Sequence, residues 1–184
     1  MPALKRAVNQ PKPLSMNMGK KRSKDSSIIM TQQMNPQDAN PAGNVHGGVI
    51  MKFIDTAAGA VAVRHARANA VTASIDRLDF HYPVFVGDLL TARASLNFVG
   101  RTSMEVGVRV ETENLLTGQK HHTSSAYLTF VALDGSGRPV SLPSLILKTD
   151  EEKRRNLEAK ARREMRLKEK RKEKANHINP DSTE

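Results

Sequence analysis

The chain has 184 residues, a length that suits one domain with additional segments at its ends. It contains no cysteine, which excludes disulfides and thiol chemistry and fits a reducing compartment. No apolar run approaches the length of a membrane span, and the first residues lack the apolar segment of a secretory signal. We therefore predict a soluble, cytoplasmic protein with no transmembrane segment.

The net charge of +10 is concentrated at the two ends of the chain. Residues 1–27 carry seven basic side chains and one acidic one, and residues 151–174 carry twelve basic and six acidic ones. Residues 28–150 carry ten of each sign and are neutral overall. The charge distribution does not indicate a basic face on the folded part, which nucleic-acid binding would require. We predict no specific nucleic-acid partner.

These differences divide the chain into three segments. Residues 1–27 are polar, basic and interrupted by three prolines, and are predicted to form a disordered tail. Residues 28–150 are predicted to form the globular domain. Residues 151–184 are predicted to form a charged basic helix and tail, with solubility or attraction of a polyanion as possible roles.

The domain begins with a predicted strand at residues 27–34, followed by a turn-rich stretch. Apolar residues then recur at three- and four-residue spacing from Gly47 to Arg67, which predicts an amphipathic helix. Four stretches of alternating apolar and polar residues follow and are predicted to be strands: 71–80, 90–98, 103–111 and 123–130. A change of parity near Arg77 predicts a β-bulge in the first of them.

Strands with one apolar and one polar face are typical of an antiparallel sheet that is covered on one side. Only one long helix precedes the C-terminal segment. The order of one strand, a helix and four strands therefore predicts an α+β arrangement in which the helix covers the sheet. Polar outer residues and free sheet edges favour pairing with a second copy of the chain.

The stretch AGNVHGGVIMKFID, residues 42–55, leads into the predicted helix. Free N–H groups of Gly47 and Gly48 at the helix start would point at a bound group, and two glycines permit its close approach. On the residues alone, an oxyanion site and a simple tight turn are equally compatible with this pattern. A metal site is not indicated, because no histidines or carboxylates have the spacing of a zinc motif.

Asp55 lies about 140–150° from the centre of the apolar stripe of the predicted helix, so it is not expected in the core of a single subunit. On the residues alone, the simpler interpretation is a solvated aspartate paired with Lys52, three residues earlier. A functional interpretation requires a second subunit to cover this face of the helix. Gly59, about one turn further on, leaves room for such an approach.

Several separated motifs occur in order: DAN at 38–40, GNVHGG at 43–48, MKFID at 51–55, VTASID at 71–76, PV and VGD within 83–88, and GRTSMEV at 100–106. Together they resemble the hotdog-fold acyl-CoA thioesterases, in particular the bacterial acyl-CoA hydrolases related to the brain-type acyl-CoA hydrolase. The resemblance covers about residues 28–150. It implies a hotdog fold, in which a curved five-stranded antiparallel sheet wraps around a long central helix, here followed by the charged C-terminal helix.

The resemblance also implies an activity and an assembly. The enzyme would hydrolyse acyl-CoA to free CoA and a carboxylic acid, as a hydrolase of fatty acid metabolism. It would be a homodimer with active sites at the subunit interface, assembled as a trimer of dimers, that is, a hexamer. No cofactor would be required, since CoA is part of the substrate and product. A non-catalytic acyl-CoA-binding or regulatory module is the alternative, because a fold does not determine its chemistry.

The positions that match the family's motifs imply roles for individual residues. Asp55 would act as general base or nucleophile, assisted by Asn40 from the opposing subunit. The N–H of Gly47 or Gly48 would bind the thioester oxygen, and His46 would shape the turn before the helix.

Residues that bind CoA are implied in the same way. Thr72 and Ser74 would line the pantetheine channel. The nucleotide and its phosphates would be contacted by residues of a predicted hairpin and by basic residues near the C-terminal helix, and the planar fork of arginine suits phosphate oxygens. These residues are Arg101, Thr102, Ser103 and Lys148, with Arg154 and Arg155 as further sources of positive charge.

Overall fold

The computed structural model describes residues 19–178, so the first 18 residues of the predicted N-terminal tail and the last six residues lie outside the described part. Neither long helix within this range combines the length and apolar character needed to cross a membrane. The elements are β1 (Lys21–Arg22), β2 (Ile28–Gln33), α1 (Gly47–Ala66), β3 (Asn69–Phe80), β4 (Leu89–Val99), β5 (Ser103–Glu113), β6 (Lys120–Leu133), β7 (Leu145–Ile146) and α2 (Asp150–Ile178).

Five strands form an antiparallel sheet in the spatial order β2-β4-β5-β6-β3. The helix α1 packs against one face of this sheet, which we call the inner face; the opposite face is the outer face. The packed residues are apolar and fully or nearly fully buried: Phe53, Ile54, Ala57, Ala58 and Val61 of α1, with Ala92, Val106, Leu128 and Phe130 of the strands. The predicted α+β hotdog arrangement is confirmed.

The register of β3 against β6 shifts twice, between Thr72 and Ser74 and between Ile75 and Leu78. The second shift is the bulge that the change of parity predicts; the first was not predicted. Thr72 lies opposite Phe130, which packs on α1, whereas Ser74 lies opposite Thr129, which belongs to the outer face. Thr72 and Ser74 therefore do not share a face, and the expectation that both line one channel is corrected.

The sequence predicted a disordered tail up to residue 27. The folded structure begins earlier, at β1. β1 pairs in parallel with β7. Ser23 and Ser26 are buried; the Ser23 hydroxyl donates to the carbonyl of Leu96 at 3.0 Å, and the Ser26 hydroxyl lies 3.3 Å from Nδ1 of His65. Composition predicted disorder because the segment is polar and basic, and it does not reveal hydrogen bonds of this kind.

The second helix, α2, packs on the outer face of the sheet. Its Asn156 and Ala159 are buried, and the amide of Asn156 donates to the carbonyl of Asn97 at 2.7 Å. Arg162 forms a bidentate pair with Glu105, with Nη2 at 2.6 Å and Nε at 3.2 Å from the two carboxylate oxygens. Glu105 is 1% exposed, so this is a buried ion pair.

A second arginine of α2 reinforces this attachment. Arg166 binds Asp76 and also lies 3.7 Å from a carboxylate oxygen of Glu105. Burial raises the pKa of Asp76, and the neighbouring Arg166 opposes that rise. The guanidinium of Arg162 also stacks over the ring of Tyr127 at 3.7 Å. The arginines of α2 thus neutralise two carboxylates on the outer face, and part of the charged C-terminal segment belongs to the folded unit.

We predict that Arg162→Ala lowers the free energy of unfolding by about 3 kcal/mol, because it leaves the buried carboxylate of Glu105 without its bidentate partner. Urea unfolding monitored by circular dichroism measures this change. Arg171→Ala, which removes the same charge from an exposed position further along α2, should change the free energy by less than about 0.5 kcal/mol. Equal effects of the two substitutions would contradict the anchoring role of Arg162.

His65, near the end of α1, is fully buried. Its Nε2 lies 2.9 Å from the carbonyl of Pro143, which only accepts hydrogen bonds, so Nε2 carries the proton. Nδ1 then accepts from the Ser26 hydroxyl. Burial lowers the pKa of His65 below its ordinary value of 6.5, although the bond to the Pro143 carbonyl opposes this shift. The neutral ring therefore joins α1 to the N-terminal segment and to the segment before β7.

We predict that stability declines as the pH falls below about 6.5, because there the unfolded chain binds a proton at His65 more readily than the folded chain does. Above this pH the contribution is fully present. Unfolding midpoints in urea between pH 8 and pH 5 measure the effect. His65→Gln should flatten this part of the profile, and His81→Gln, at an exposed position, should not. If the unfolding midpoint of His65→Gln depends on pH as steeply as that of the wild type, His65 is not the source of the pH dependence.

Candidate active site

The start of α1 is capped by His46. This residue has an extended backbone, with φ of −63° and ψ of 130°, and its Nδ1 accepts the N–H of Gly48 at 3.0 Å. Its carbonyl accepts the N–H of Val49 at 2.9 Å. The cap thus satisfies one of the free N–H groups that every helix start presents. The N–H of Gly48 is no longer available to a ligand.

Gly47 is the remaining glycine of the pair. Its N–H has no hydrogen-bond acceptor in the part of the chain that the structure describes. It lies at the positive end of a helix of 20 residues, where backbone dipoles favour negative charge. Of the two glycines that the sequence offered as oxyanion donors, the geometry therefore favours Gly47.

Gly47 and Asn40 line the same cavity, which has a volume of about 330 Å³. The side-chain oxygen of Asn40 accepts the N–H groups of Ala42 at 2.9 Å and Asn44 at 3.3 Å. These two bonds fix the orientation of the amide, so its NH₂ group is the part left for a ligand. The other lining residues are mostly apolar: Asn44, Val45, Ile50, Phe80, His81, Tyr82, Pro83 and Val84.

Asp55 lies eight residues after Gly47, about 12 Å further along the helix. It is half-buried, and its Oδ1 accepts the hydroxyl of Thr72 at 2.6 Å. The ion pair between Asp55 and Lys52, which their spacing allowed, is absent from the salt bridges of the described residues, 19–178. Instead, Thr72 holds the carboxylate from the neighbouring strand, because the unpredicted register shift in β3 turns this threonine to the inner face.

Within one subunit, the polar residues predicted for the site form two separate pairs. Asn40 and Gly47 share the cavity at the start of α1, whereas Asp55 and Thr72 lie near its middle and do not line that cavity. A carboxylate and an oxyanion donor must both reach one reacting carbonyl to act on it. Within one subunit, Asp55 and Gly47 are therefore not placed to act on the same carbonyl.

Several apolar residues of α1 and β3 are exposed. Met51, one turn before Asp55 on α1, is 42% exposed, and Ile75 and Phe80 on the inner face of β3 are 40% and 48% exposed. β3 is an edge strand, so one of its two long edges has no neighbouring strand within residues 19–178. Apolar side chains gathered beside a free edge indicate a surface that another chain covers.

The remaining predicted CoA-binding residues lie elsewhere in the subunit. Arg101 is exposed in the β4–β5 hairpin, and Thr102 and Ser103 beside it are half-buried. Lys148 is exposed just before α2, where its N–H donates to Glu152 at 2.6 Å. Ser74 lies on the outer face. Among the described residues, 19–178, Thr72 is the one predicted CoA-binding residue that hydrogen-bonds with Asp55.

Sequence reasoning missed the aromatic part of the cavity at the start of α1. Phe80 and Tyr82 line it, and an added Cβ on Gly47 would lie 3.6 Å from the Phe80 ring. Tyr82 also stacks on His121 with ring centroids 3.8 Å apart. The stretch FHYP, residues 80–83, is the signal that was available, since it concentrates aromatic residues in a chain that has few.

Comparisons with known proteins identify the family of this chain. The sequence model of the Thioesterase superfamily matches residues 42–118. Over 129 residues the chain is 40% identical to the uncharacterized acyl-CoA thioester hydrolase YkhA of Bacillus subtilis, covering 70% of this chain and 75% of that protein. It is 37% identical over 139 residues to the human cytosolic acyl coenzyme A thioester hydrolase, covering 74% of this chain and 36% of that longer protein.

Solved structures give the same result. A crystal structure of an apo-hexameric acyl-CoA thioesterase is 42% identical, with a TM-score of 0.79 and coverage of 82% of this chain and 97% of that one. An acyl-CoA hydrolase of Staphylococcus aureus, in complex with butyryl coenzyme A, coenzyme A and coenzyme A disulfide, is 35% identical, with a TM-score of 0.78 and coverage of 89% and 99%. The chain belongs to the thioesterase superfamily, within its hotdog-fold group of acyl-CoA thioester hydrolases.

Proposed function

We propose that the protein hydrolyses acyl-CoA thioesters to CoA and a carboxylic acid, at sites completed between two subunits. The observation that carries this proposal is the pair of half-sites within one subunit: a carboxylate held by Thr72, and a free helix N–H beside Asn40. Neither half is sufficient for thioester hydrolysis. The two together supply a base or nucleophile and a donor for the developing oxyanion.

In the proposed dimer, the exposed edge of β3 pairs with the β3 of a second subunit, as the resemblance implies. Within each subunit the Phe80 ring lies against Gly47, and Asp55 binds Thr72 of the same strand. Both half-sites therefore lie beside β3, the strand that would form the subunit interface. Pairing of the two strands would bring the half-site of one subunit toward the complementary half-site of the other, and would cover the exposed apolar residues of β3.

In the proposed reaction, the N–H of Gly47 donates to the thioester oxygen, and the amide of Asn40 orients the carbonyl or the attacking water. Asp55 of the opposing subunit takes a proton from that water, or attacks the carbonyl carbon itself. With water as nucleophile, the tetrahedral oxyanion collapses, the C–S bond breaks, and the proton on Asp55 passes to the departing CoA sulfur. The Thr72 hydroxyl orients the carboxylate throughout.

Solved variants of a similar protein support the choice of residues. The acyl-CoA hydrolase of Staphylococcus aureus has been solved with alanine in place of one aspartate, one asparagine and one threonine. In that protein the asparagine precedes the aspartate by 15 residues, and the threonine follows the aspartate by 17. Asn40, Asp55 and Thr72 have the same spacing. A hexameric thioesterase among the solved structures supports a hexameric assembly, for which we propose a trimer of dimers.

We predict that the purified protein releases free thiol from acyl-CoAs and that Asp55→Asn lowers the rate by about 10³-fold or more, because the amide neither accepts a proton nor attacks. A thiol-reactive dye across a panel of short, medium and long acyl chains measures both rates. Asp150→Asn, whose side chain is 98% exposed at the start of α2, is the matched control and should leave the rate unchanged.

The outcomes of this assay separate the alternatives. If the wild-type protein releases no thiol from any chain length, the proposed hydrolysis is wrong. If calorimetry then shows CoA binding without turnover, the protein is a binding or regulatory module. If Asp55→Asn retains the wild-type rate, the enzyme acts through another residue.

We further predict that two inactive variants restore each other. Dimers formed at random from Asp55→Asn and Asn40→Ala subunits should have about one quarter of wild-type activity, since half of the dimers are mixed and one of their two sites is intact. Coexpression followed by the thiol assay measures this recovery. As a control, Asp55→Asn mixed with the double variant should recover nothing. Absence of recovery in the first mixture would place both residues in one subunit's site.

A further inference from the structure

The last turns of α2 extend beyond the part of the helix that binds the sheet. Arg166 is the last residue of α2 that forms a salt bridge with the sheet among residues 19–178. Residues 167–175 are all exposed, and the same described range contains no side-chain hydrogen bond or ion pair made by any of them. This segment is about 14 Å long. Packing within the subunit therefore does not account for its charges.

Unpaired positive charge lies on the side of α2 that faces away from the sheet, which we call the free side. The helix turns by about 100° per residue, so the sheet-facing residues Ala159 and Arg166 lie about 160–180° from Leu157, which is at the centre of the free side. Between residues 157 and 175, the basic residues within about 80° of Leu157 are Lys160, Lys168, Arg171 and Lys172. Glu164 is the one acidic residue in the same range, so four positive charges and one negative charge give the free side a net charge of +3. These side chains form no ion pair among the described residues.

The free side also exposes apolar side chains. Leu157 is 70% exposed, Met165 is 62% exposed and Leu167 is 39% exposed. Lys168 and Lys172 follow Met165 by one and two turns, so basic residues lie directly beside the apolar ones. These exposed apolar residues weigh against a role in solubility alone, because a solubilising surface is charged and exposes few leucines. Apolar residues among basic ones are typical of helices that lie on the surface of a membrane.

Other partners fit this surface less well. The phosphates of a nucleic acid require basic side chains and no exposed leucine or methionine. A protein groove that accepts a helix needs apolar anchors at i, i+3, i+4 and i+7, whereas Leu157, Met165 and Leu167 do not have this spacing. Two copies of the free side placed against each other would bring net charges of the same sign together, which is repulsive. A lipid surface needs neither a fixed anchor spacing nor a pocket.

We propose that the free side of α2 is a docking surface for membranes that contain anionic lipids. The basic residues lie against the lipid phosphates, while Leu157 and Met165 contact the boundary between headgroups and acyl chains. The long aliphatic stems of Lys168 and Lys172 let their charges remain in the headgroup layer. Electrostatic attraction of this kind adds up over the basic residues and falls off within a Debye length, so binding is reversible and sensitive to salt. Asp55 lies on the other helix, α1, so docking does not depend on the proposed hydrolysis.

The test is flotation of the full-length protein with vesicles of phosphatidylglycerol and phosphatidylcholine in equal parts, at low ionic strength. The wild type should bind these vesicles but not vesicles of phosphatidylcholine alone, and raised salt should release it. The variant carrying both Lys168→Gln and Lys172→Gln should bind at least about tenfold more weakly, since each basic residue near an anionic surface contributes separately. A control variant carrying Lys120→Gln and Arg138→Gln, at exposed positions outside α2, removes the same charge and should bind within about twofold of the wild type.

A second pair of variants separates lipid contact from charge attraction. Met165→Ser should weaken binding to the anionic vesicles by about threefold or more, because it removes apolar surface from the lipid boundary. Leu116→Ser is the matched control, since Leu116 is 97% exposed in the β5–β6 hairpin, and it should bind like the wild type. All of these positions are exposed, so each variant should keep the wild-type melting temperature by circular dichroism.

Several results would overturn the proposal. It is wrong if the wild type does not bind the anionic vesicles, or if the two double variants are weakened equally. It is also wrong if Met165→Ser binds like the wild type or no more weakly than Leu116→Ser. Tighter binding to polyuridylate than to anionic vesicles would instead identify a nucleic-acid surface. A change in the oligomeric state of Met165→Ser, measured by light scattering, would instead identify a contact between copies.

Discussion

One helix must cover the inner face of a five-stranded sheet, and this constraint determines the rest of the structure. An α-helix with its side chains is about 10–12 Å wide, whereas five strands spaced about 4.8 Å apart span roughly 20 Å. The helix α1 therefore buries the centre of the sheet and leaves the edge strand β3 partly uncovered. Met51, Ile75 and Phe80 remain exposed as a direct result. Incomplete coverage within a subunit is what makes a shared site possible.

The outer face meets a different requirement. It carries the buried carboxylate of Glu105 and the half-buried carboxylate of Asp76, which need positive partners, and α2 supplies them through Arg162 and Arg166. The two faces are thus covered by different chemistry: apolar packing under α1, and ion pairs and hydrogen bonds under α2. This difference explains why α2 has so little apolar character and still lies on the sheet.

Periodicity predicted the elements well, because hydrophobic alternation is a direct record of which side chains face the core. It located α1, the five strands of the sheet and the bulge near Arg77. It failed at Ala73, where the alternation continues through a register shift, so Thr72 and Ser74 were assigned to one face. Long-range polar contacts were also hidden. The partnership of Glu105 with Arg162 joins positions 57 residues apart, and no local pattern records it.

The site was predictable in its residue types and not in its geometry. The resemblance supplied Asp55, Asn40 and the two glycines, but the choice between Gly47 and Gly48 depended on where the His46 ring points. In the folded protein this ring accepts the N–H of Gly48, and no feature of the sequence indicates that orientation.

The contact between Arg166 and Asp76 links the C-terminal helix to the edge strand β3. Asp76 belongs to β3, the edge strand that would form the subunit interface in the proposed dimer. The helix α2 is thus tied to that strand from the outer face. In the proposed dimer, substitutions at Arg166 would therefore alter support for the interface as well as the stability of one subunit.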